Sequence, residues 1–282
     1  MTTLPTDLNG SYELCRRIHR RHDPTYYWAT RRLPSDVRPA VHALYGFVRG
    51  ADELVDGPRR PSDPAARLAA LDAWEGALAT GLERGSSDHP VIAALVDAGS
   101  RHDLPLDELR VYMRSMRVDC GRVRIATADE LDRYMDGSAG SVGRIMAPLL
   151  GAPPADRDAF GALGKAFQLT NFIRDVREDW ELDRVYLPGL SAEQIARRQP
   201  SDGFRELLEV DVARARDLFR EGAAAGEVVA PRVRRGMSMA RSVYLSVLDR
   251  TERLDFDVLR RRVSLPPWEL AGAVAQGLRA GA

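Results

Sequence analysis

An all-α fold is predicted by three observations. Apolar residues recur at three- and four-residue spacing through most of the chain, the intervening breaks are short and rich in Gly, Pro, Ser and Asp, and no stretch alternates as a strand. With 282 residues, 44% of them hydrophobic, the chain can bury a substantial core. Its breaks are too short to mark a linker, so residues 1–282 read as one helical-bundle domain, with 1–10 expected as a flexible tail.

The first helix is expected over 11–22, after the turn pair Asn9-Gly10, with Leu14 and Ile18 at helical spacing. Ser35 is a suitable N-cap for a second helix running to about Asp56, which Pro58, Pro61 and Pro64 then end. Further helices fit 65–83, 91–99, 106–118, 128–150, 157–183, 204–223, 231–253 and 267–279. Between the first two helices, His22-Asp23-Pro24-Thr25-Tyr26-Tyr27-Trp28 reads as a turn leading into a helix, a place where backbone N–H groups and a hydroxyl can meet a phosphate.

Composition excludes several classes. The formal net charge is zero, so no bulk field draws the protein to nucleic acid or to an anionic membrane. Lys165 is the only lysine among 41 basic residues, a bias that fits codon composition rather than a binding surface. Cys15 and Cys120 form no C-x-x-C and imply no disulfide framework, which fits a reducing cytoplasm. The N-terminus has neither the basic start nor the apolar run of a signal peptide. No run of 18 apolar residues would span a membrane. Dinucleotide, P-loop, HExxH and Ser-His-Asp patterns are absent.

The chemistry concentrates on two helical stripes. In KAFQLTNFIRDVREDWELDRVYLP, Gln168, Asn171, Asp175 and Asp179 are three or four residues apart and share one helix face. More than a hundred residues earlier, in YGFVRGADELVD, Tyr45, Arg49, Asp52 and Asp56 repeat the arithmetic. One aspartate pair at i, i+4 is more often a solvated helix face than a site. Two pairs, each preceded on its stripe by hydrogen-bonding residues, favour an acidic cleft for divalent cations. Mg²⁺ suits it, because it takes one or two carboxylates and completes its shell with water and substrate phosphates. Gly137, Gly140 and Gly143 fall on one helical side, which serves either close helix packing or room for a ligand chain.

These motifs, ADELVD and NFIRDVRED followed by RVYLP, closely resemble the squalene/phytoene synthase family of head-to-head prenyl transferases, over about Tyr12 to Trp268. MRVDCGRVRIATADELDRY resembles the family segment with an aspartate and R-Y-x-T, here Asp119, Arg124 and Thr127 with Ile125 in place of the tyrosine. YMDGSAGSVG resembles its Y-C-x-x-V-A-G-x-V-G, with Met135 in place of cysteine.

The resemblance implies an isoprenoid-synthase bundle, with Asp52, Asp56, Asp175 and Asp179 as metal ligands. It implies Tyr134, Arg49 and Arg174 at the reacting centre, and His22, Thr25, Tyr45, Gln168, Asn171, Arg184 and Tyr186 at the substrate. Tyr244 and Arg262 match weaker positions, and Glu53 stands where many members have a second aspartate. The implied reaction is Mg²⁺-dependent condensation of two geranylgeranyl diphosphates, through a cyclopropylcarbinyl diphosphate, to phytoene. Mn²⁺ is the alternative metal and no NADPH is expected.

The alternatives are a squalene or dehydrosqualene synthase using farnesyl diphosphate, a terpene cyclase using one prenyl diphosphate, and an inactive scaffold or lipid-binding helical protein. Prenyl diphosphates are the expected partners and nucleic acid is not. The cytoplasm is the expected location, with peripheral contact at the inner face of the cell membrane left open by membrane-soluble products.

Overall fold

The computed structural model describes residues 7–260 and 262–282, except the side chain of Thr25. Helices account for nearly all of its regular structure. Two compact units emerge, one reaching Gly121 and including Ile145–Gly151, the other holding Arg122–Arg144 and Ala152–Ala282.

In the first unit, α1 (Leu8–His22) begins three residues before the expected start, because the Asp7 side chain accepts from the Gly10 N–H at 3.0 Å. Residues 8–10 are therefore helix rather than tail. Asp23 caps the short α2 (Pro24–Thr30) through the Tyr26 N–H at 2.8 Å, and Pro24 at its first turn loses no internal hydrogen bond. The next helix, α3 (Arg38–Val55), follows Val37 and not the expected cap Ser35. Asp63 caps α4 (Pro64–Arg84), which Gly85 ends at φ 68°. Two more follow, α5 (Pro90–His102) and α6 (Glu108–Val118). α1, α3 and α5 pack on one another around Leu44, Phe47, Ile92 and Leu95.

In the second unit a two-residue strand, β1 (Val123–Arg124), precedes α7 (Ala128–Met135), whose start is fixed by a reciprocal box between Thr127 and Glu130. The helix expected over 128–150 is interrupted by a π-helical turn at Asp136–Gly140 and resumes as α8 (Ser141–Leu149), whose residues from Ile145 belong to the first unit. The one expected over 157–183 is two, α9 (Arg157–Arg174) and α10 (Val176–Glu181). After them come β2 (Arg184–Val185), α11 (Ala192–Ala196), α12 (Asp202–Glu221), α13 (Pro231–Arg253) and α14 (Pro267–Ala280).

Contrary to the strand-free expectation, β1 and β2 pair in parallel, Val123 with Arg184 and Arg124 with Val185. The pairing pins R-V-Y-L-P beside the segment that leads to Tyr134. Phe204, Phe219, Leu169, Ile173 and Leu248 fill this unit's core, each worth about 1.5–3 kcal/mol when removed from water.

At Gly143 close packing decides between the two readings of the glycine stripe. A Cβ there would stand 2.3 Å from the Phe160 carbonyl oxygen of α9, and one at Gly164 would stand 2.5 Å from that of Ala139. The π-turn and α9 therefore meet backbone to backbone, which fixes the helix bearing Asn171 against the one bearing Tyr134.

Candidate active site

The first unit supplies one acidic stripe. Tyr45, Arg49 and Asp52 lie within α3, and Asp56 stands one residue past its end, its N–H still donating to the Asp52 carbonyl at 2.7 Å. The i, i+4 relation read from the sequence thus survives the end of the helix. Burial pushes the Asp52 carboxyl up to about 6, against a hydrogen bond from Tyr112 and the pull of Arg49. The Tyr112 hydroxyl lies 3.1 Å from Asp52 Oδ1 and 3.2 Å from the Val48 carbonyl oxygen, positioned to donate to either.

Arg49 pairs with Glu53, and its Nε is buried without a partner. His22, at the end of α1, places Nδ1 3.8 Å from Glu53 Oε1, and its pKa is lowered, first by desolvation and then by Arg49. Tyr45 lies flat against His19, with ring centroids 4.0 Å apart and planes 9° apart. Thr25 was expected to contact substrate, but its side chain falls outside the described residues.

The second unit supplies the other stripe. The helix breaks at Asp175 (φ −105°, ψ 18°), yet the Asp175 N–H donates to Asn171 O and the Asp179 N–H to Asp175 O, both at 2.8 Å. Asn171, Asp175 and Asp179 therefore keep their common face across the break. Arg174 grips its neighbour Asp175, Nε donating to Oδ1 at 2.7 Å. Arg262 Nε lies 4.0 Å from the same oxygen. Gln168 is half-buried one turn before Asn171.

Asp179 of α10, with Arg184 and Tyr186 beyond it, lines a small hollow with Phe172, Val176 and Leu187. Tyr186 stacks on Phe172 at 4.2 Å, and Tyr134 leans on Tyr186 at 5.1 Å, so three aromatic rings form one wall. Tyr244 packs instead against Phe167, at 4.5 Å.

Several residues noted for their family match have structural work. Thr127 caps α7. Arg124 pairs with Asp183 and covers the Trp180 ring at 5.2 Å. Ile125, where the family has tyrosine, is buried in the core and donates its N–H to Val185 O at 3.0 Å. Tyr112 was missed, although it lies two helical turns before Asp119 and so on the same face of α6. His19 and His42 were missed because a contact between two helices leaves no mark in either helix's periodicity.

The donor set suits Mg²⁺. Among the described residues no group of three or more His, Cys, Asp or Glu could hold a metal alone, and Mg²⁺ needs none, since substrate oxygens and water complete its shell. Two observations favour a cation at these stripes. Asn171 Oδ1 is a buried acceptor with no partner, and the burial cost of the Asp52 carboxylate is offset only in part by Tyr112 and Arg49.

Residues 19–269 match the family model described as squalene/phytoene synthase. This chain belongs to the squalene/phytoene synthase family. It is 33% identical to the phytoene synthase of Arthrospira platensis, over 94% of this chain and 91% of that one. With the phytoene synthase of Thermus thermophilus it shares 33% identity, over 95% and 92%. Among solved structures, squalene synthase HpnC from Alicyclobacillus acidocaldarius superposes with a TM-score of 0.81 at 29% identity, over 89% of this chain and 97% of that one. A dehydrosqualene synthase in complex with a ligand gives a TM-score of 0.80 at 24% identity, covering 97% of both chains, which shows the shared fold. The fold is thus the helical isoprenoid-synthase fold that the motifs implied.

Proposed function

We propose that the chain is a phytoene synthase, joining two geranylgeranyl diphosphates head to head. The carrying observation is the similarity to phytoene synthases along more than nine-tenths of the chain, and the two acidic stripes supply chemistry that fits it. The chain works in this reading as one catalytic domain. Asp52, Asp56, Asp175 and Asp179 hold Mg²⁺, or Mn²⁺ in its place, with Asn171 Oδ1 as a further oxygen donor. The bound metal supplies Lewis-acid withdrawal of charge from a diphosphate leaving group.

The protein's own groups do the rest. Arg49, Arg174 and Arg184 spread the charge of the departing diphosphate, while His22, Thr25, Tyr45 and Gln168 orient it. The 2,3 double bond of the second substrate attacks the allylic cation, and loss of a proton closes a cyclopropylcarbinyl diphosphate. A second ionisation and rearrangement give a 1–1′ linked cation, which loses a proton to become a conjugated triene. The wall of Tyr134, Phe172 and Tyr186 keeps water from these cations, and the Tyr134 hydroxyl orients the second diphosphate. No hydride donor is needed.

Among the described residues no helix is long and apolar enough to cross a membrane. We place the enzyme in the cytoplasm, with peripheral contact at the membrane that would receive a C40 hydrocarbon.

A second reading, the C15 coupling of a squalene synthase, is favoured by the 0.81 TM-score to HpnC. Incubation with C15 and with C20 diphosphates plus Mg²⁺, with products identified by mass, separates the two. A C40 product from the C20 substrate supports the proposal. A C30 product with no C40 product overturns it.

A further inference from the structure

One turn of α3 grips a residue of α1 that has no place in the chemistry above. His42 and Tyr45 lie three residues apart on α3, and the His19 ring sits between them. On one side its Nδ1 is 2.9 Å from His42 Nδ1. On the other it lies parallel to the Tyr45 ring at 4.0 Å. His19 is wholly buried and His42 is 5% exposed.

Two imidazoles that meet through a nitrogen pair must share one proton. If both were charged, two N–H groups would face each other, so at least one ring is neutral. Burial disfavours charge on both, lowering His19 to about 3 and His42 to about 4, so each is neutral near pH 7. Arg16 and Arg38 also disfavour a proton on His42, against the weaker opposite pull of Glu13. The tautomer follows from the remaining nitrogen. His19 Nε2 is buried with no partner, and an orphaned lone pair costs less than an orphaned N–H. His19 Nδ1–H therefore donates to His42 Nδ1, and His42 carries its own proton on Nε2. The outer end of this chain is also held: the His42 ring stacks on Tyr27 at 5.5 Å, and Arg16 donates to the Tyr27 hydroxyl at 3.0 Å.

We propose that His19 and His42 are positioning residues, a neutral hydrogen-bonded pair that fixes the Tyr45 ring so that its hydroxyl meets the substrate diphosphate. The proposal rests on Tyr45 binding diphosphate, as in the function proposed above. The hydrogen bond sets the plane of the His19 ring, and a ring so fixed leaves Tyr45 one orientation, parallel to it. Tyr45 in turn lies one helical turn before Arg49 and two before Asp52, on the same stripe.

Plain core packing between α1 and α3 would also bury these rings, so the test reads coupling to a ligand rather than stability. Inorganic pyrophosphate with Mg²⁺ is titrated calorimetrically into the full chain and into His19→Leu, Tyr45→Leu and the double variant. His19→Phe, which keeps a flat ring against Tyr45, serves as the conservative rescue. His19→Leu should weaken pyrophosphate about five- to tenfold in the wild-type background and less than about twofold in the Tyr45→Leu background. His19→Phe should recover most of the loss.

Where His19→Leu does not fold, His42→Phe, which keeps a flat ring and removes the hydrogen bond, is run through the same cycle with the same expected non-additivity. Equal losses in both backgrounds, or no loss in either, would overturn the positioning role while leaving the prenyl-transfer reading intact, since wild-type product formation is measured separately. Failure of the wild-type chain to bind pyrophosphate would remove the diphosphate role of Tyr45 and the proposal with it.

Discussion

Two buried histidines should contribute an acid-sensitive share of this protein's stability, which shows only when it is separated from that of two buried carboxyls. His19 and His42 are held neutral in the fold, near 3 and 4, against an ordinary value of 6.5. The unfolded chain therefore binds more protons than the folded one as the pH falls through 6.5, the difference approaching two near pH 5. The folded pKa values are depressed, so the stability is complete above 6.5 and is lost as the pH falls. Two full protons correspond to a slope of about 2.7 kcal/mol per pH unit; because the unfolded histidines are only half-protonated at pH 6.5, the loss between pH 6.5 and 5 is about 3 kcal/mol.

Two carboxyls oppose that slope. Asp52 and Asp211 are raised to about 6 by burial, so the folded state takes up protons on them over the same range. The wild-type stability curve alone would consequently look flat. The difference between wild type and the His19→Phe/His42→Phe double variant removes the carboxyl contribution, because both proteins share it. Urea unfolding at pH 7.5, 6.5, 5.5 and 5 should show wild type losing about 3 kcal/mol relative to the double variant from pH 6.5 to 5. Any constant offset from the larger phenyl rings drops out. Parallel curves would refute the neutral pair and with it the tautomers assigned above.

Other perturbations separate chemistry from packing. Asp52→Asn and Asp175→Asn should each remove nearly all turnover while circular dichroism and unfolding stay close to wild type, since the change is isosteric; near-normal turnover by Asp175→Asn contradicts the metal assignment. Tyr134→Phe should change thermal stability little and let the cyclopropylcarbinyl diphosphate accumulate, visible by mass; an unchanged rate and product leave Tyr134 a packing residue. Gly143→Ala places a methyl group 2.3 Å from the Phe160 carbonyl oxygen and should cost about 1–3 kcal/mol or more. Its control is Gly76→Ala in α4, which meets nothing within 4 Å and should add about 0.5–1 kcal/mol.

The sequence made α13 legible to the residue, because Pro231 opens it and apolar periodicity carries it to Arg253. The break at Asp175 was not legible. No Gly or Pro marks it, and the backbone bonds from Asp175 to Asn171 and from Asp179 to Asp175 preserve the helical spacing. The π-turn at Asp136–Gly140 hides for a related reason, since five residues of π-helix look like α-helix in composition. The β1–β2 pairing spans two residues on each side, too few for alternation to register.

The acidic stripes could be read because spacing along one helix determines a face. The gripping of His19 by His42 and Tyr45, and the reach of Tyr112 to Asp52 Oδ1 at 3.1 Å, depend on how separate helices dock. That docking leaves no periodic trace in either partner.

The most direct test of the account is product formation from geranylgeranyl diphosphate and Mg²⁺ with no nicotinamide present. Loss of a proton from the final cation needs no reductant, so a C40 hydrocarbon with a central conjugated triene should form, recognisable by its ultraviolet absorption and its mass. If no triene forms, and product arises only when NADPH is added and then carries two more hydrogens, the final cation is quenched by hydride and the assignment as a phytoene synthase is wrong.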